Sequence, residues 1–377
     1  MVAKIHFLLS RLLVSACICV IAGCGSSDVQ KPSSSDRLVL EKIKFSDISG
    51  WKEDNHPEAF ASFLKSCGAF AKQKDSDAIG KGYFLAPIAT WKTICRKASI
   101  VPPTDALAAR SFFEEEFVPM RASNNDNSQG FITGYYEATL NGSRTKQSPY
   151  IYPIYKLPDE LLRNYTRSQI DLGMLEGLVS PIAYVDDPVQ LFFMHIQGSG
   201  QIKLDSGENI HVTYAGNNGY DYVSIGKVLA DKGIMQRKDI TMQSLRRWLY
   251  DHPNDMWQVL WENPTYIFFR EAGDAVVGSG QAALTPMRSL AVDTKYIPLG
   301  MPIFINTMFS DNGDAPPVIQ RKLMIAQDTG RAIRGPIRAD IFFGSGISAE
   351  KIAGRLKSGG EFILLVPRSI GELIKLD

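Results

Sequence analysis

Hydrophobic residues recur at helical spacing in the first third of the chain. The segment "HPEAFASFLKSCGAF" (56–70) places its phenylalanines and Leu64 on one face, and Pro57 suits a first helical turn. A second helix is predicted in "PTDALAARSFFEEEFV" (103–118), where Thr104 can act as the N-cap. The residues that this helix offers to a core are Leu107, Phe112, Phe113 and Phe117.

After residue 131 the pattern changes to short apolar or alternating runs separated by Gly, Asn and Pro. "QIKLDSGENIHVTY" (201–214) is typical of a β-hairpin, and "TMQSLRRWLYDHP" (241–253) of a helix that Pro253 closes. "SAEKIAGRLKSGG" (348–360) predicts a short helix stopped by glycines. The runs of strand length in this part are "PTYIFFRE", "RSLAVD", "MPIFIN", "KLMIAQD", "ADIFFG" and "EFILLVP". Many short strands with turns between them predict a mainly β fold with helices (α+β), built as a barrel or sandwich.

The first 23 residues have the features of a bacterial lipoprotein signal peptide. Lys4 and Arg11 accompany an apolar run, "LLVSACICVIAG", that is too short for a stable membrane span. The run ends in small residues before Cys24, which we expect to become the lipid-carrying N-terminus. An ordinary signal peptide with a stray cysteine is the alternative. Gly25 rather than Asp follows the cysteine, so we expect an outer-membrane anchor and a protein that faces the periplasm.

The composition of the mature chain indicates a flexible segment near its start and excludes one class of binding partner. Residues 24–38 are Ser-rich and polar, which predicts a flexible tether between the lipid and the folded body. Beyond the signal segment the chain carries 39 basic and 40 acidic residues. This balance argues against a nucleic-acid binder, because such proteins carry a basic stripe or patch.

Two cysteines, Cys67 and Cys95, remain in the mature chain besides Cys24. In an oxidising compartment an even pair is compatible with a disulfide, but two separately buried thiols fit the spacing equally well. The five histidines are scattered along the chain, and this pattern does not favour a zinc cluster.

One tripeptide raises the question of an aspartic peptidase. Asp328-Thr329-Gly330 matches the catalytic loop of that class, which needs two such loops sharing one proton. The other candidate is the Asp-Ser-Gly at 205–207, but it lies at the predicted hairpin tip, where Asp and Gly are ordinary turn formers. A single good loop is weak support for a peptidase.

Three aspartates lie at the edges of predicted strands. Asp293 ends "SLAV", Asp328 closes "KLMIAQ", and Asp340 opens "IFFG", twelve residues after Asp328. A carboxylate beside a buried strand is costly unless it is hydrogen-bonded or used in chemistry. The three acids could converge on one cleft, while the alternative is that some of them only satisfy backbone donors at turns.

Several motifs in order resemble the membrane-bound lytic transglycosylase A family of peptidoglycan-cleaving lipoproteins. They are "TGYYEATLNGSR" (133–144), "FFMHIQGSGQIKL" (192–204), "YAGNNGYDYVSIGKVL" (214–229), "NPTYIFF" (263–269), "TPMRSLAVDTKYIPLG" (285–300) and "AQDTGRAIRGPIRAD" (326–340). The resemblance covers residue 131 to the C-terminus and agrees with the lipoprotein signal.

The resemblance implies a double-psi β-barrel domain with an inserted second β-rich domain and a glycan groove between them. In that arrangement residues 39–135 and 262–377 form a discontinuous catalytic domain, and residues 136–261 form the insert. The family's catalytic acid corresponds to Asp340, with Asp328 and Asp293 as supporting acids. The family often has Gly-Gly where this chain has Gly330-Arg331, so Arg331 either crowds the loop or faces outward to a substrate carboxylate.

The resemblance also implies the reaction: cleavage of the β-1,4 bond between N-acetylmuramic acid and N-acetylglucosamine, with 1,6-anhydromuramic acid ends as product. A single Asp would act first as acid and then as base, and no cofactor or metal is expected, although oxygen-only metal binding by the three acids is the rival interpretation. The partners implied are peptidoglycan glycan strands and the outer membrane. Glycan-binding residues are expected in the family's motifs: Thr133, Tyr135, Tyr136, Gln197, Gly198, Ser199, Tyr214 and Asn218. Since Tyr135 and Tyr136 alternate along a strand, one of them is expected to pack inward.

Two other functions stay open at this point. One is a glycan hydrolase with a similar groove, which would use water and leave reducing ends. The other is a peptidoglycan-binding envelope lipoprotein without catalysis, which would bind cell walls and release nothing soluble.

Overall fold

The computed structural model describes residues 36–273 and 275–374. The predicted signal peptide, the lipidation site Cys24 and all but the last residues of the predicted tether lie outside the described residues. Within the described ranges, no helix has both the length and the apolar character needed to cross a membrane.

The strands in chain order are β1 Leu38–Lys42, β2 Ala78–Ile79, β3 Ala86–Pro87, β4 Phe117–Asn124, β5 Gly130–Ser143, β6 Tyr152–Tyr155, β7 Pro181–Val185, β8 Ser199–Leu204, β9 Asn209–Asn217, β10 Ile267–Ala272, β11 Ser289–Val292, β12 Pro302–Phe309, β13 Val318–Asp328, β14 Arg338–Ser345 and β15 Lys357–Pro367. The helices are α1 His56–Ala71, α2 Ile88–Ala98, α3 Ala106–Glu116, α4 Arg167–Asp171, α5 Pro188–Gln197, α6 Ile225–Asp231, α7 Met242–Asp251, α8 Pro253–Trp261, α9 Ile347–Arg355 and α10 Arg368–Gly371. Single 3₁₀ turns cover Phe45–Asp47, Gly82–Phe84, Glu160–Leu162 and Arg237–Asp239.

Six strands close into a barrel in the order β5, β14, β11, β13, β12, β15 and back to β5. The pairs β5–β14 and β11–β13 are parallel, and the other neighbours are antiparallel. Closure removes the free strand edges that an open sheet would expose. The predicted fold class is therefore confirmed: a mainly β fold with helices, containing a double-psi barrel.

Strand β5 belongs to two sheets at once. Its residues 130–137 pair with β14 and β15 of the barrel, whereas its residues 138–143 pair with β8 and β7 of a second sheet. That second sheet continues from β8 to β9 and β10. The change of partners thus falls between Glu137 and Ala138, inside one continuous strand. The division into residues 39–135, 136–261 and 262–377 stays a prediction.

The two N-terminal helices form as predicted, with corrections at the second. Helix α3 is capped by Asp105, whose side chain accepts from the N–H groups of Leu107 and Ala108, and not by Thr104. Leu107 is 63% exposed, because it lies in the first turn on the face away from the core. Phe112 and Phe113 are buried beside the phenylalanines of α1.

A disulfide joins Cys67 of α1 to Cys95 of α2, with their Cα atoms 5.5 Å apart. It links two helices that already pack against each other over the barrel. The sequence alone left this pairing open, because spacing does not reveal the distance between two helices.

The strand and helix predictions after residue 131 are largely confirmed, including the hairpin of β8 and β9, the six later strands and α7. Two details differ. Pro253 opens the new helix α8 instead of only closing α7, since a first-turn position tolerates the missing N–H. Gly359 and Gly360 belong to β15, where Gly360 packs against Ile132, so α9 ends earlier at Arg355.

Candidate active site

Four neighbouring barrel strands align a row of residues at one level. Ala291 of β11 is paired on one side with Asp328 of β13 and on the other with Asp340 of β14. Asp340 in turn is paired with Thr133 of β5. Residues paired across a sheet project on the same face, so the small side chain of Ala291 separates the two acids by two strand spacings, about 10 Å between Cα atoms.

Asp340 is half-buried and accepts a 2.7 Å hydrogen bond at Oδ1 from the Thr133 hydroxyl. Burial raises the pKa of Asp340, and the negative charge of Asp328 adds to this rise. The positive charge of Arg338 and the hydrogen bond from Thr133 act in the opposite direction on that pKa without reversing it. The result is a carboxyl group that holds its proton to a higher pH than an ordinary aspartate does.

Arg338 completes this arrangement. Its Nη2 donates to the Thr133 hydroxyl oxygen at 2.7 Å, and its guanidinium lies 4.9 Å from the centre of the Phe131 ring. Thr133 thus accepts from a cation and donates to an acid. Arg338 was not singled out from the sequence, although its position two residues before Asp340 on one strand places both on the same face.

Asp328 is held by groups from three segments. Its Oδ2 accepts from the Tyr135 hydroxyl at 3.0 Å, and its Oδ1 accepts from the hydroxyl and backbone N–H of Ser279 and from the backbone N–H of Thr329. Burial raises the pKa of Tyr135 well above its usual range, so the tyrosine remains a donor. Asp328 therefore stays fixed near Asp340 as an acceptor.

Asp293 orders the loop between the other two acids. Its Oδ1 accepts from the backbone N–H of Lys295, and its Oδ2 accepts from the backbone N–H of Gly335 at 2.9 Å. Gly335 has φ +110°, a conformation that L side chains rarely adopt. Asp293 thereby fixes the turn that returns the chain to Asp340.

Tyr136 and Gln197 meet beside this row. The backbone N–H of Tyr136 donates to Gln197 Oε1 at 3.1 Å, while its side chain is 2% exposed. Its hydroxyl accepts from Arg246 of α7 at 3.2 Å, and Arg246 also pairs with Glu350 of α9. Burial raises the pKa of Tyr136 to about 12. Both tyrosines of the pair are buried, Tyr135 at 8% and Tyr136 at 2% exposed, and Tyr136 ties α7 to the barrel.

Three further predicted residues form one corner of the second sheet. Gly198, at φ +78°, ends helix α5, and its carbonyl accepts from the backbone N–H of Tyr214 at 2.8 Å. Ser199 begins β8 and is buried. Tyr214 is 47% exposed and is thereby open to solvent or to a ligand.

Asn218 lies apart from these residues. Its amide nitrogen donates to the carbonyl oxygens of Tyr165 and Pro264, and its side-chain oxygen accepts from the backbone N–H of Tyr266. The side chain is 3% exposed. Its polar atoms are engaged by the protein's own backbone, which makes it an anchor for the loop that follows β9.

Two other polar residues, Asp205 and His195, lie away from this row. Asp205 lies at the tip of the β8–β9 hairpin, and its backbone N–H donates to the carbonyl of Gly142. His195 is buried against Arg167, with Nδ1 2.9 Å from Nη2. The Asp-Ser-Gly segment therefore is a turn remote from the Asp-Thr-Gly loop in the sheet order, and the paired loops of an aspartic peptidase are not formed.

Fold and site together define a double-psi barrel protein with an aspartate pair on the barrel face and a second β sheet inserted in the chain. A family model described as the MltA specific insert domain matches residues 131–270, and a model described as the 3D domain matches residues 288–366. The chain belongs to the membrane-bound lytic murein transglycosylase A family.

Curated relatives of this family are similar to the chain in sequence. The membrane-bound lytic murein transglycosylase A of Escherichia coli K12 is 35% identical over 237 residues, which are 62% of this chain and 64% of that relative. The chain thus spans less than two thirds of the length of that curated relative.

Solved structures align over a larger share. A membrane-bound lytic murein transglycosylase from Agrobacterium tumefaciens has a TM-score of 0.79 and 33% identity, covering 89% of this chain and 99% of that one. The E. coli MltA structure with bound chitohexaose has a TM-score of 0.68 and 26% identity, covering 91% of this chain and 97% of that one.

Proposed function

We propose that this protein is a peptidoglycan lytic transglycosylase that cleaves the β-1,4 bond between N-acetylmuramic acid and N-acetylglucosamine. The observation that carries the proposal is Asp340, a half-buried carboxyl with a raised pKa, held by Thr133 and faced by Asp328. Membership of a family named for murein transglycosylases, one of which binds chitohexaose, supports the substrate class.

The reaction needs a proton donor at its start. Asp340 donates its proton to O4 of the leaving N-acetylglucosamine as the bond from C1 of N-acetylmuramic acid to that oxygen breaks. The muramic acid's own C6 hydroxyl oxygen then forms a bond to C1, and the Asp340 carboxylate takes the hydroxyl proton. The product is a 1,6-anhydro sugar, no water is consumed, and the acid regains its proton.

A single acid suffices because the nucleophile belongs to the substrate. Hydrolytic glycosidases need a second carboxylate to attack or to activate water, whereas an intramolecular hydroxyl benefits from a high effective molarity. Asp328 lies two strand spacings away and is saturated by Tyr135, Ser279 and Thr329, which suits it to a supporting role. Asp293 supports the loop through Gly335.

Thr133 and Arg338 act on the charge of the acid. While Asp340 is ionised in the middle of the reaction, the Thr133 hydroxyl donates to it and Arg338 lies behind that hydroxyl. This stabilises the carboxylate enough for the proton to leave, and burial and Asp328 favour its return.

The glycan strand is proposed to lie between the barrel and the second sheet. Gln197, Gly198, Ser199 and the half-exposed Tyr214 are candidates for contacts with sugar rings and acetamides from the second sheet. Tyr135 and Thr133 reach the acids directly, so their contribution to glycan contacts is proposed to lie at the cleaved bond.

A lipid anchor at Cys24 and a position at the inner face of the outer membrane complete the proposal. The relatives are named membrane-bound, and the sequence pattern before Cys24 is that of a lipoprotein. Metabolic labelling with a fatty-acid probe tests this: wild-type protein should carry the label, and Cys24→Ser should not.

Product analysis tests the activity. Purified peptidoglycan is digested with wild-type protein, and the muropeptides are weighed by mass spectrometry. We expect products one water lighter than those of a hydrolase, and a loss of at least about a thousandfold in rate for Asp340→Asn. Reducing-end products would indicate a hydrolase instead. Binding to cell walls with nothing released would indicate a binding lipoprotein.

A further inference from the structure

Arg331 connects the loop after Asp328 to the second sheet. Its Nη1 donates to the carbonyl oxygen of Tyr220 at 2.9 Å, and its Nη2 lies 2.9 Å from Asp221 Oδ1. Arg331 is three residues after Asp328, while Tyr220 and Asp221 follow strand β9. The two sides of the proposed groove therefore meet at this guanidinium.

The two contacts of Arg331 differ in how strongly the partner residue is held in place. The Tyr220 carbonyl also accepts from the Thr265 hydroxyl, and the Tyr220 hydroxyl donates to the carbonyl of Asn164, so this segment is anchored. The Asp221 side chain is 98% exposed and that of Arg331 is 48% exposed. An exposed ion pair contributes about 0–1 kcal/mol to stability, so another carboxylate can replace Asp221 at little cost.

We propose that Arg331 is a specificity-determining residue that binds a carboxylate of the substrate in exchange for Asp221. The inference rests on the proposed function, since a muramic acid carries a lactyl group and, through it, a peptide with free carboxylates. The Tyr220 carbonyl holds one end of the guanidinium, and the other end, three residues along the chain from Asp328, is presented to the incoming carboxylate. Asp221 occupies this end while the groove is empty.

The test compares three ligands. Initial rates are measured on glycan strands that keep their peptides and on strands stripped by an amidase, which retain only the lactyl carboxylate. Binding of chitohexaose, which has no carboxylate, is measured with an Asp340→Asn background so that no cleavage interferes. Arg331→Ala and Asp221→Asn are each made, and Arg237→Ala serves as control because Arg237 also forms a solvent-exposed ion pair at 2.9 Å, with Asp231.

We expect Arg331→Ala to raise KM about fivefold on peptide-bearing strands, a typical loss for one partly exposed charged contact. Asp221→Asn should lower KM, because it removes the competitor. Chitohexaose affinity should not change in either variant, and Arg237→Ala should match wild type throughout. A KM increase confined to peptide-bearing strands assigns the contact to a peptide carboxylate. A KM increase confined to stripped strands, where the amidase has freed the lactyl carboxylate from its amide bond, assigns the contact to that group.

Other outcomes overturn the inference. An equal loss on all three ligands, or parallel losses in Arg331→Ala and Asp221→Asn, would mean that the pair only holds the two segments together. No effect of Arg331→Ala on either strand would exclude a substrate contact. If wild-type protein releases no anhydro products, the proposed function fails, whereas the affinities of all three ligands, measured in the Asp340→Asn background, still test Arg331.

Discussion

Replacing Thr133 by valine should move the pH dependence of cleavage toward alkaline pH. The Thr133 hydroxyl donates to Asp340 Oδ1 at 2.7 Å and favours the ionised form of the acid, so its loss raises the pKa of Asp340 further. Valine keeps the shape of threonine and the β-branch that suits strand β5. In the proposed mechanism Asp340 must be protonated when the reaction starts, and a higher pKa preserves that form to higher pH.

The size of the expected pKa shift follows from the energy of the hydrogen bond between Thr133 and Asp340. A hydrogen bond to a charged group contributes roughly 1.5–3 kcal/mol, and 1.36 kcal/mol corresponds to one pH unit. Asp340 is half-buried, so the lower end of this range applies, and the alkaline limb of kcat/KM should move up by about one pH unit. The maximal rate should fall as well, since the carboxylate formed in the reaction loses a donor.

Initial rates of anhydro-muropeptide release between about pH 4 and pH 9 supply the measurement. Thr139→Val is a matched control, because Thr139 lies on the same strand and pairs with Gln201 away from the acids. An unmoved alkaline limb in Thr133→Val, or one moved to lower pH, would refute the role assigned to this hydroxyl. An equal shift in Thr139→Val would show that the effect arises from the strand as a whole.

Three further predictions concern stability. Changing Cys67 and Cys95 together to alanine should cost about 2–4 kcal/mol in urea denaturation, and a reductant should abolish the difference from wild type. Arg288→Met should cost about 3–5 kcal/mol in the same assay, because it leaves the Asp54 carboxylate buried without its cation, and a loss under about 1 kcal/mol would contradict this. Burial lowers the pKa of His195 well below its usual range, so the unfolded chain binds the proton more tightly and stability should fall as pH drops below about 6.5. His195→Gln should flatten that part of the stability–pH curve, and an unchanged curve would show that other groups produce it.

Local patterns predicted much of the barrel. The short apolar runs became strands β10 to β15 because their length and β-branched content suit a buried sheet, and the positions of Asp293, Asp328 and Asp340 at strand edges followed from the same runs. The resemblance to a known family supplied the choice of Asp340 among these acids.

Features that depend on pairing between distant segments were not predictable in the same way. The distance of Thr133 from Asp340 depends on a parallel pairing across 207 residues of sequence, and the Arg331 contact spans 110 residues. Arg338 was missed because an arginine two residues from an acid is common on any strand. Arg338 acts on Asp340 through its hydrogen bond to Thr133, which lies on a different strand.

The double membership of β5 has a mechanical consequence. The fourteen-residue strand β5 contains Thr133, the hydrogen-bond partner of Asp340, and continues without interruption into the sheet that carries Tyr214. If a glycan binds in the proposed groove, a force on a sugar held by the second sheet would be transmitted to Thr133 and Asp340 through one continuous strand and not through a flexible loop. A chimera that exchanges the second sheet between homologues should therefore have its junctions outside strand β5. A junction within the strand would change the position of the second sheet relative to Asp340.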